Sequence, residues 1–462
     1  MLAVTKTTYS RKLLKNAVTV FILLVAISPG VFAQSIFPPK LDLETAIEKA
    51  LENDPQTKIS DSQTKIAESK IAEAKTGKDI SVEFSQSAVR SNNPVFVFGS
   101  LLEQGRFSAA NFALDSLNHP DGLNNFRTLL SAQKPIFDRR QTSSRVSRAE
   151  LAKQQSELQT ETIRQQIRFE VIRRFYGAII GSEMLNVGKE AVKSAEANKN
   201  KAKDMVEVGM TTEADFLAAD VEVAAAQQQA LEAENNLVTT LAALNISLGD
   251  KPDFGRELVG DLKEKYFPLE EQDILIKLAF DNRADYKRAE LAVNMSREQS
   301  KAVKDQKLPQ VSAFGNFGYS SPYLANGSSD YTVGVSLNYT LFDAGRKHRV
   351  EQSAEAETVA ELELQNLGNQ IRLDVIRALQ NHKTARAKIQ VSIKSIAQAE
   401  EVLRIVQDRY KFGLTTFNEV LRAESALVRA KHNLLSSRYD YYISYAALLL
   451  ATGRLNDVRA FD

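Results

Sequence analysis

The chain has no cysteine and no tryptophan among its 462 residues. Without a thiol it cannot be a disulfide scaffold, hold zinc through thiolates, use a cysteine nucleophile or carry a lipid on an N-terminal Cys. Twenty glycines and eleven prolines are too few for a collagenous or low-complexity chain. Neither sign of charge prevails: 59 Lys plus Arg face 58 Asp plus Glu, a net of +1, which gives no reason to expect nucleic acid. The four histidines, His119, His348, His382 and His432, lack metal-ligand spacing, and the last three read as solvent-facing helix positions. No Gly-rich phosphate loop or nucleophile elbow occurs, so neither an enzyme nor a cofactor is expected.

What is present begins with an address. Lys6, Arg11, Lys12 and Lys15 precede an apolar run from Ala17 to Ile27, then Ser28-Pro29-Gly30 and Val31-Phe32-Ala33. This pattern is a secretory signal peptide over 1–33, cut between Ala33 and Gln34. Eleven apolar residues would span only about 16 Å of a roughly 30 Å hydrocarbon core, too short for an anchor. Its removal leaves 55 basic against 58 acidic residues. No later stretch approaches 18 consecutive apolar residues, so any membrane span must be built of strands.

The remainder is written twice. Arg168-Phe169-Glu170-Val171-Ile172-Arg173 falls on Arg372-Leu373-Asp374-Val375-Ile376-Arg377 at an offset of 204, and Gly209-Met210-Thr211-Thr212 falls on Gly413-Leu414-Thr415-Thr416. The repeats occupy 34–249 and 272–453, joined by a linker at 250–271 and followed by a tail at 454–462. A period near 200 is far beyond solenoid units. Each repeat predicts an opening helix, Leu43 to about Lys75 and Glu271 to about Lys307. Two strands follow, then a helix of about seventy residues, Arg139 to Val208 and Ala344 to Phe412. At 1.5 Å per residue each such helix runs to about 100 Å. The glycine turns then reverse the chain into a helix of about 36 residues.

The returning helices carry strict heptads. In the second, Val420, Leu427, Leu434, Tyr441 and Leu448 alternate with Ala423, Ala430, Ser437, Ser444 and Ala451. The first has Phe216, Val223, Ala230, Leu237 and Leu244 against Ala219, Ala226, Ala233, Thr240 and Ser247. Large knobs against small ones predict antiparallel coiled-coil hairpins. From Tyr331 to Leu341 apolar residues alternate with small or polar ones, one face for lipid and one for water. Val311 to Tyr319, with Phe314 as an exception, Ile80 to Phe84 onward, and Phe126 to Phe137 give three more strands. Four strands cannot close a cylinder, and an open edge in hydrocarbon is prohibitive, so several chains must share one barrel.

Here the chain resembles the TolC-type outer-membrane efflux proteins of Gram-negative bacteria. The matching residues are Leu41-Asp42-Leu43-Glu44-Thr45-Ala46-Ile47 with Ala50-Leu51-Glu52-Asn53-Asp54-Pro55, the junctions Pro135-Ile136-Phe137-Asp138 and Leu341-Phe342-Asp343-Ala344-Gly345-Arg346, the paired Gly-x-Thr-Thr turns, and the Leu248-Gly249 and Thr452-Gly453 helix ends. The resemblance implies a mainly α fold with a transmembrane β part. Long hairpins would form a trimeric α-barrel, and four strands per chain a shared twelve-stranded β-barrel. It implies an outer-membrane duct with its helices in the periplasm, opened by a periplasmic adaptor and an inner-membrane pump or ABC-type exporter. Outer-membrane lipid would surround the strands.

By the same resemblance Tyr410 and Glu419 match a gate tyrosine and a gate carboxylate. Thr415 and Arg422 depart from the pattern, replacing a gate arginine and a second gate carboxylate. Asp215 would join Glu419 in an anionic ring. Gly209, Thr211, Thr212, Gly413, Thr415 and Thr416 would form the tips where the adaptor docks. The extra segment 92–125 reads as a loop outside the cell. An exported coiled-coil structural or adhesion protein would account for the heptads but not for the alternating strands or the doubled strand-to-helix junctions, and a periplasmic adaptor of the same kind of pump normally carries one hairpin flanked by β domains, whereas here two hairpins follow two strand pairs.

Overall fold

The computed structural model describes residues 40–263, 265–456 and 461, so the signal segment and the Ala33–Gln34 junction lie outside the described residues. In the first repeat, β1 (Lys40–Leu41) leads into α1 (Leu43–Asn53) and α2 (Pro55–Lys75). Then come β2 (Ser81–Ser91), α3 (Pro94–Glu103), α4 (Leu114–Asn118) and β3 (Leu123–Asp138). The hairpin is α5 (Gln141–Glu207) with α6 (Glu213–Ser247). After β4 (Glu257–Leu258), the second repeat runs α7 (Gln272–Asn282), α8 (Ala284–Asp305), β5 (Gln310–Ser321), β6 (Ser328–Asn338), α9 (Arg346–Lys411) and α10 (Phe417–Ala451). The fold is mainly helical. α5 and α9, of 67 and 66 residues, each extend about 100 Å.

The hairpins pack as the heptads require. None of the ten seam residues in either returning helix is exposed. Gly188 lies against the Ala230 backbone, where an added Cβ would stand 3.3 Å from its Cα, so small residues set the helix separation.

Each opening helix is two helices rather than the single one expected. In the first repeat the cause is local. Pro55 has no N–H to give, and the Asp54 carboxylate caps the new helix by accepting from Gln56 N at 2.7 Å. In the second repeat no proline stands at the break. There Arg283 leaves the helical region, and its guanidinium bonds Asp285 (2.6 Å) and Asp374 (3.2 Å). Gly453, at φ +68°, packs against the Arg283 backbone. Tertiary contacts make the second break.

The four long strands form one antiparallel sheet in the order β2-β3-β5-β6. β6 ends at Asn338, so Tyr339 and Leu341 fall beyond it. A second, two-residue parallel ladder joins β1 to β4. The segment 92–125 is also more than a loop: α3, a 3-10 turn at Ala109–Phe112 and α4 fold it back on the sheet. The main core lies at the level of β1 and β4, where α1, α5 and α10 meet around Phe175, Ile172, Leu244 and Phe267.

Candidate functional site: the strand face, the waist and the hairpin tips

Register places Phe84, Leu130, Phe317 and Tyr331 in one row across the sheet, followed by Val82, Ala132, Gly315 and Val333. Val335 and Leu337 extend the same face, and its large apolar members are exposed. The opposite face carries Glu83, Ser131, Gln133, Asn316 and Thr332. The strands run 11 to 16 residues, enough to span a bilayer when tilted. Phe314, the exception in β5, points to the polar face directly opposite Gly334, where an added Cβ would stand 2.8 Å from its ring. The glycine makes room for that ring. Among the described residues nothing pairs with the outer edges of β2 and β6, and no helix is long and apolar enough to cross a membrane.

The waist is built around Phe267, which stacks on Tyr445 with centroids 4.1 Å apart. Its backbone N–H donates to the Tyr441 hydroxyl (3.2 Å), and Tyr442 donates to Lys263 O (3.0 Å). His382, expected in solvent, is fully buried here and stacks on Tyr441 at 4.6 Å. Its Nδ1 lies 3.0 Å from Ser444 Oγ, and burial drives its pKa down to about 4. Of the other two, His348 is exposed beside Glu351 (3.6 Å), whereas His432 is half-buried with a lowered pKa. Asp250 ties the linker to α1 through Lys49 (2.7 Å) and to Arg256 (2.5 Å). Burial raises its carboxyl, but these bonds outweigh that effect and hold it below its ordinary value.

At the tips, Gly209 (φ +73°) and Gly413 (φ +67°) end the long helices in the left-handed conformation. Gly209 N–H donates to Val206 O and Met210 N–H to Met205 O (2.8 Å). Gly413 and Leu414 make the matching bonds to Tyr410 O and Arg409 O. Nothing lies within 4 Å of an added Cβ at either glycine, so backbone angle alone requires the residue. Asp215 accepts from Thr211 Oγ1 (2.6 Å) and Thr212 Oγ1 (3.1 Å), and Thr212 caps α6. Thr416 makes no side-chain capping bond to α10, and Thr415 is half-buried. Glu419 pairs with Arg422 one turn along the same helix, at 3.1 Å. Asp215 and Glu419 are thus each held within their own hairpin.

Tyr410 is 6% exposed and sits between the hairpins, its ring 5.5 Å from Phe417 and packed with Ala202, Ala219 and Val420. Its hydroxyl has no hydrogen-bond partner. Behind the tip, a cavity of about 610 Å³ separates the hairpins, lined by Glu222, Glu424, Ser425 and His432 among others. Polar bonds bridge it: Asn198 Nδ2 donates to Glu424 (2.6 Å), and Ser425 Oγ donates to Glu222 (3.3 Å). Burial raises the Glu424 carboxyl, Asn198 opposes the shift, and the Glu222 charge adds to it. Sequence reading missed these bridging residues. The signal available was register: Glu424 directly follows the seam residue Ala423, so a carboxylate there faces the neighbouring hairpin. Among the described residues no three His, Asp or Glu gather as a metal site.

The family model described as "Outer membrane efflux protein" matches residues 46–250 and 275–454. The outer membrane efflux protein BepC of Brucella suis biovar 1 (strain 1330) is 25% identical over 238 residues, 48% of this chain and 52% of that protein. The outer membrane protein TolC of Escherichia coli (strain K12) is 23% identical over 249 residues, 50% of this chain and 47% of that one. The chain thus spans about half the length of these two curated relatives. Among solved structures, CusC superposes with a TM-score of 0.74 at 15% identity, covering 89% of this chain and 92% of that one, a likeness of fold. The CusC structures describe conformational changes accompanying folding and transmembrane channel formation in that protein.

Proposed function

Because the chain belongs to the outer membrane efflux protein family, we propose that it is the outer-membrane duct of a tripartite efflux or type I secretion system. One observation carries this reading: a bilayer-length sheet with an exposed apolar face and two unpaired edges is continuous with two helices about 100 Å long. Unpaired strand edges are untenable in hydrocarbon, so the edges must be met by other copies. Three copies give twelve strands, an even barrel wide enough for a water-filled lumen, whereas the eight strands of a dimer would be filled by side chains. The polar face then lines the pore and the hairpins continue it through the periplasm.

The duct is passive, and energy comes from an inner-membrane pump or ABC-type exporter through a periplasmic adaptor. The tips form the gate and the docking point. Tyr410 and the Asn198–Glu424 and Ser425–Glu222 bonds hold the two hairpins of one chain together in the closed form. The exposed turns at Gly209 and Gly413 meet the adaptor.

The test is reconstitution. An outer-membrane, detergent-extracted trimer that conducts ions in a planar bilayer is the expected result. A water-soluble monomer, or a trimer with no conductance, overturns the reading. Gly413→Trp is expected to abolish export while trimers still reach the outer membrane, because the turn is exposed and packs against nothing. Normal export by that variant would remove the turn from the docking site.

A further inference from the structure

The connection between β2 and β3 takes 31 residues, 92–122, while the equivalent connection between β5 and β6 takes six. Both lie at the end of the sheet remote from the hairpins. The long connection is pinned to one particular face. Arg127 donates to Glu103 at 2.9 Å, to Ser320 Oγ at 3.0 Å and to Asp330 at 3.4 Å. Arg127, Ser320 and Asp330 alternate along their strands with Thr128, Phe317, Tyr319 and Tyr331, so they belong to the polar face. Gln104, which is buried, donates to Asn124 O (2.8 Å) and Asn125 Oδ1 (3.0 Å). Gly105, at φ +64°, turns the chain close over Ser328, whose Cβ would lie 3.3 Å from an added Cβ. The segment therefore folds over the side that faces the lumen in a closed barrel.

Its own core is small. Phe107 makes edge contacts to Phe98 (4.9 Å) and Phe112 (5.1 Å). The large apolar side chains left most open are Val95 at 81% exposure, Leu114 at 78% and Phe112 at 66%, with Leu102 following at 52%. An apolar patch beside a water-filled mouth needs a cover. In a barrel closed by copies of this chain, patches pinned to the inner face are turned toward the same axis.

We propose, on the footing of the duct reading above, that residues 92–122 form a cap across the outer mouth, in which the Val95, Phe112 and Leu114 surfaces of the three copies cover one another. Arg127 is the anchor that holds each cap segment inward. The cap makes the outer mouth a second constriction, separate from the hairpin tips and independent of the adaptor.

The chain has no cysteine, so one substitution places a single thiol in each copy. Full-length Leu114→Cys and Val95→Cys proteins, treated on intact cells with a membrane-impermeant bis-maleimide, are expected to yield covalent dimers. In planar bilayers, replacing residues 95–117 by a short Gly-Ser bridge is expected to raise single-channel conductance about twofold, because a wider constriction carries more current. Arg127→Ala is expected to raise it in part, and Glu103→Gln less. Quenching of a fluorophore at position 114 by brominated lipid would place the patch in the bilayer and overturn the cap. So would a bridge variant that forms heat-stable trimers of unchanged conductance. If the parent conducts and the bridge variant matches it, the cap alone fails; if the parent conducts nothing, the duct reading fails.

Discussion

At the waist the first repeat places Ala178 where the second, 204 residues on, places His382, and both are buried. The exchange has a reason. Phe267 from the linker stacks on Tyr445 and approaches His382 at 6.1 Å, and Tyr441 stacks on His382 at 4.6 Å, so an aromatic bed receives the imidazole. The same contrast recurs at each level. At the outer rim one connection is long and folded and the other is six residues. At the opening helices one break is made by Pro55 and the other by Arg283 and its partners. At the tip, Asp220 makes an exposed ion pair with Lys199 (2.5 Å), while its counterpart Glu424 is half-buried against Asn198. The rods and their turns are held in common. The differences gather at rim, waist and tip, while the rods between them stay alike.

The largest expected effect concerns the glycines that end the returning helices. A Cβ at Gly453 would meet backbone, Arg283 N and Asn282 C, both at 2.9 Å, with no side chain to swing aside. At Gly249 the nearest atom is Asn53 Cβ at 2.8 Å, which the backbone fixes just as firmly. Gly453→Ala and Gly249→Ala should each lose about 3–4 kcal/mol of stability, since left-handed strain and overpacking are both shared. Denaturant midpoints measure both. A loss of only about 1 kcal/mol at either would show that conformation, rather than clearance, explains that glycine.

The waist comparison can be broken next. His382→Ala should lose about 2–4 kcal/mol by leaving a cavity under Tyr441. The reverse change, Ala178→His, should cost about 1–3 kcal/mol by overpacking. His382 also makes the waist sensitive to acid. Its folded pKa of about 4 lies below the unfolded value near 6.5, so between those values the unfolded chain binds the extra proton. Stability from this group is complete above about pH 6.5 and falls by up to about 3 kcal/mol as pH drops to 4. His382→Gln should flatten that slope in a pH series of thermal midpoints.

Smaller effects sharpen the comparison at the tip. Thr212→Ala should lose about 1 kcal/mol with its capping bond, and Thr416→Ala, which has none to lose, about 0.3 kcal/mol or less. Glu424→Gln should stabilise the protein at neutral pH by about 0.5 kcal/mol, because burial penalises the charged carboxylate. As its folded pKa is raised, the parent should lose stability as pH rises through that window, and the variant should not. Asp220→Asn should change stability by less than about 0.5 kcal/mol.

Much of this was legible in the amino-acid sequence because its causes are local or periodic. The offset of 204, the seven-residue seams, the left-handed glycines and the alternation in β6 each repeat or need no distant partner. Asp54-Pro55 could also have been read as a break, since proline cannot continue a helix from the preceding turn. The break at Arg283 could not, because its partners Asp374 and Gly453 are 91 and 170 residues away. His382 lay on a long helix for which no seam had been assigned, and its bed of Phe267 and Tyr441 comes from elements far along the chain. The two-residue pairing of β1 with β4 carries no periodicity at all. At the tip, position within the turn was readable, but the bonds that join one hairpin to the other depend on helix rotation.

That short pairing has a practical consequence. Lys40 is stitched beside Glu257, and Phe461, far along the chain, tucks its ring among Tyr176, Phe267 and Tyr445. Both points are moored on the girdle, between the sheet and the hairpin tips. A reporter or affinity handle attached at the exposed Lys40 would ride on the flank, so the protein can be tethered sideways to a surface with sheet and hairpin tips both unobstructed.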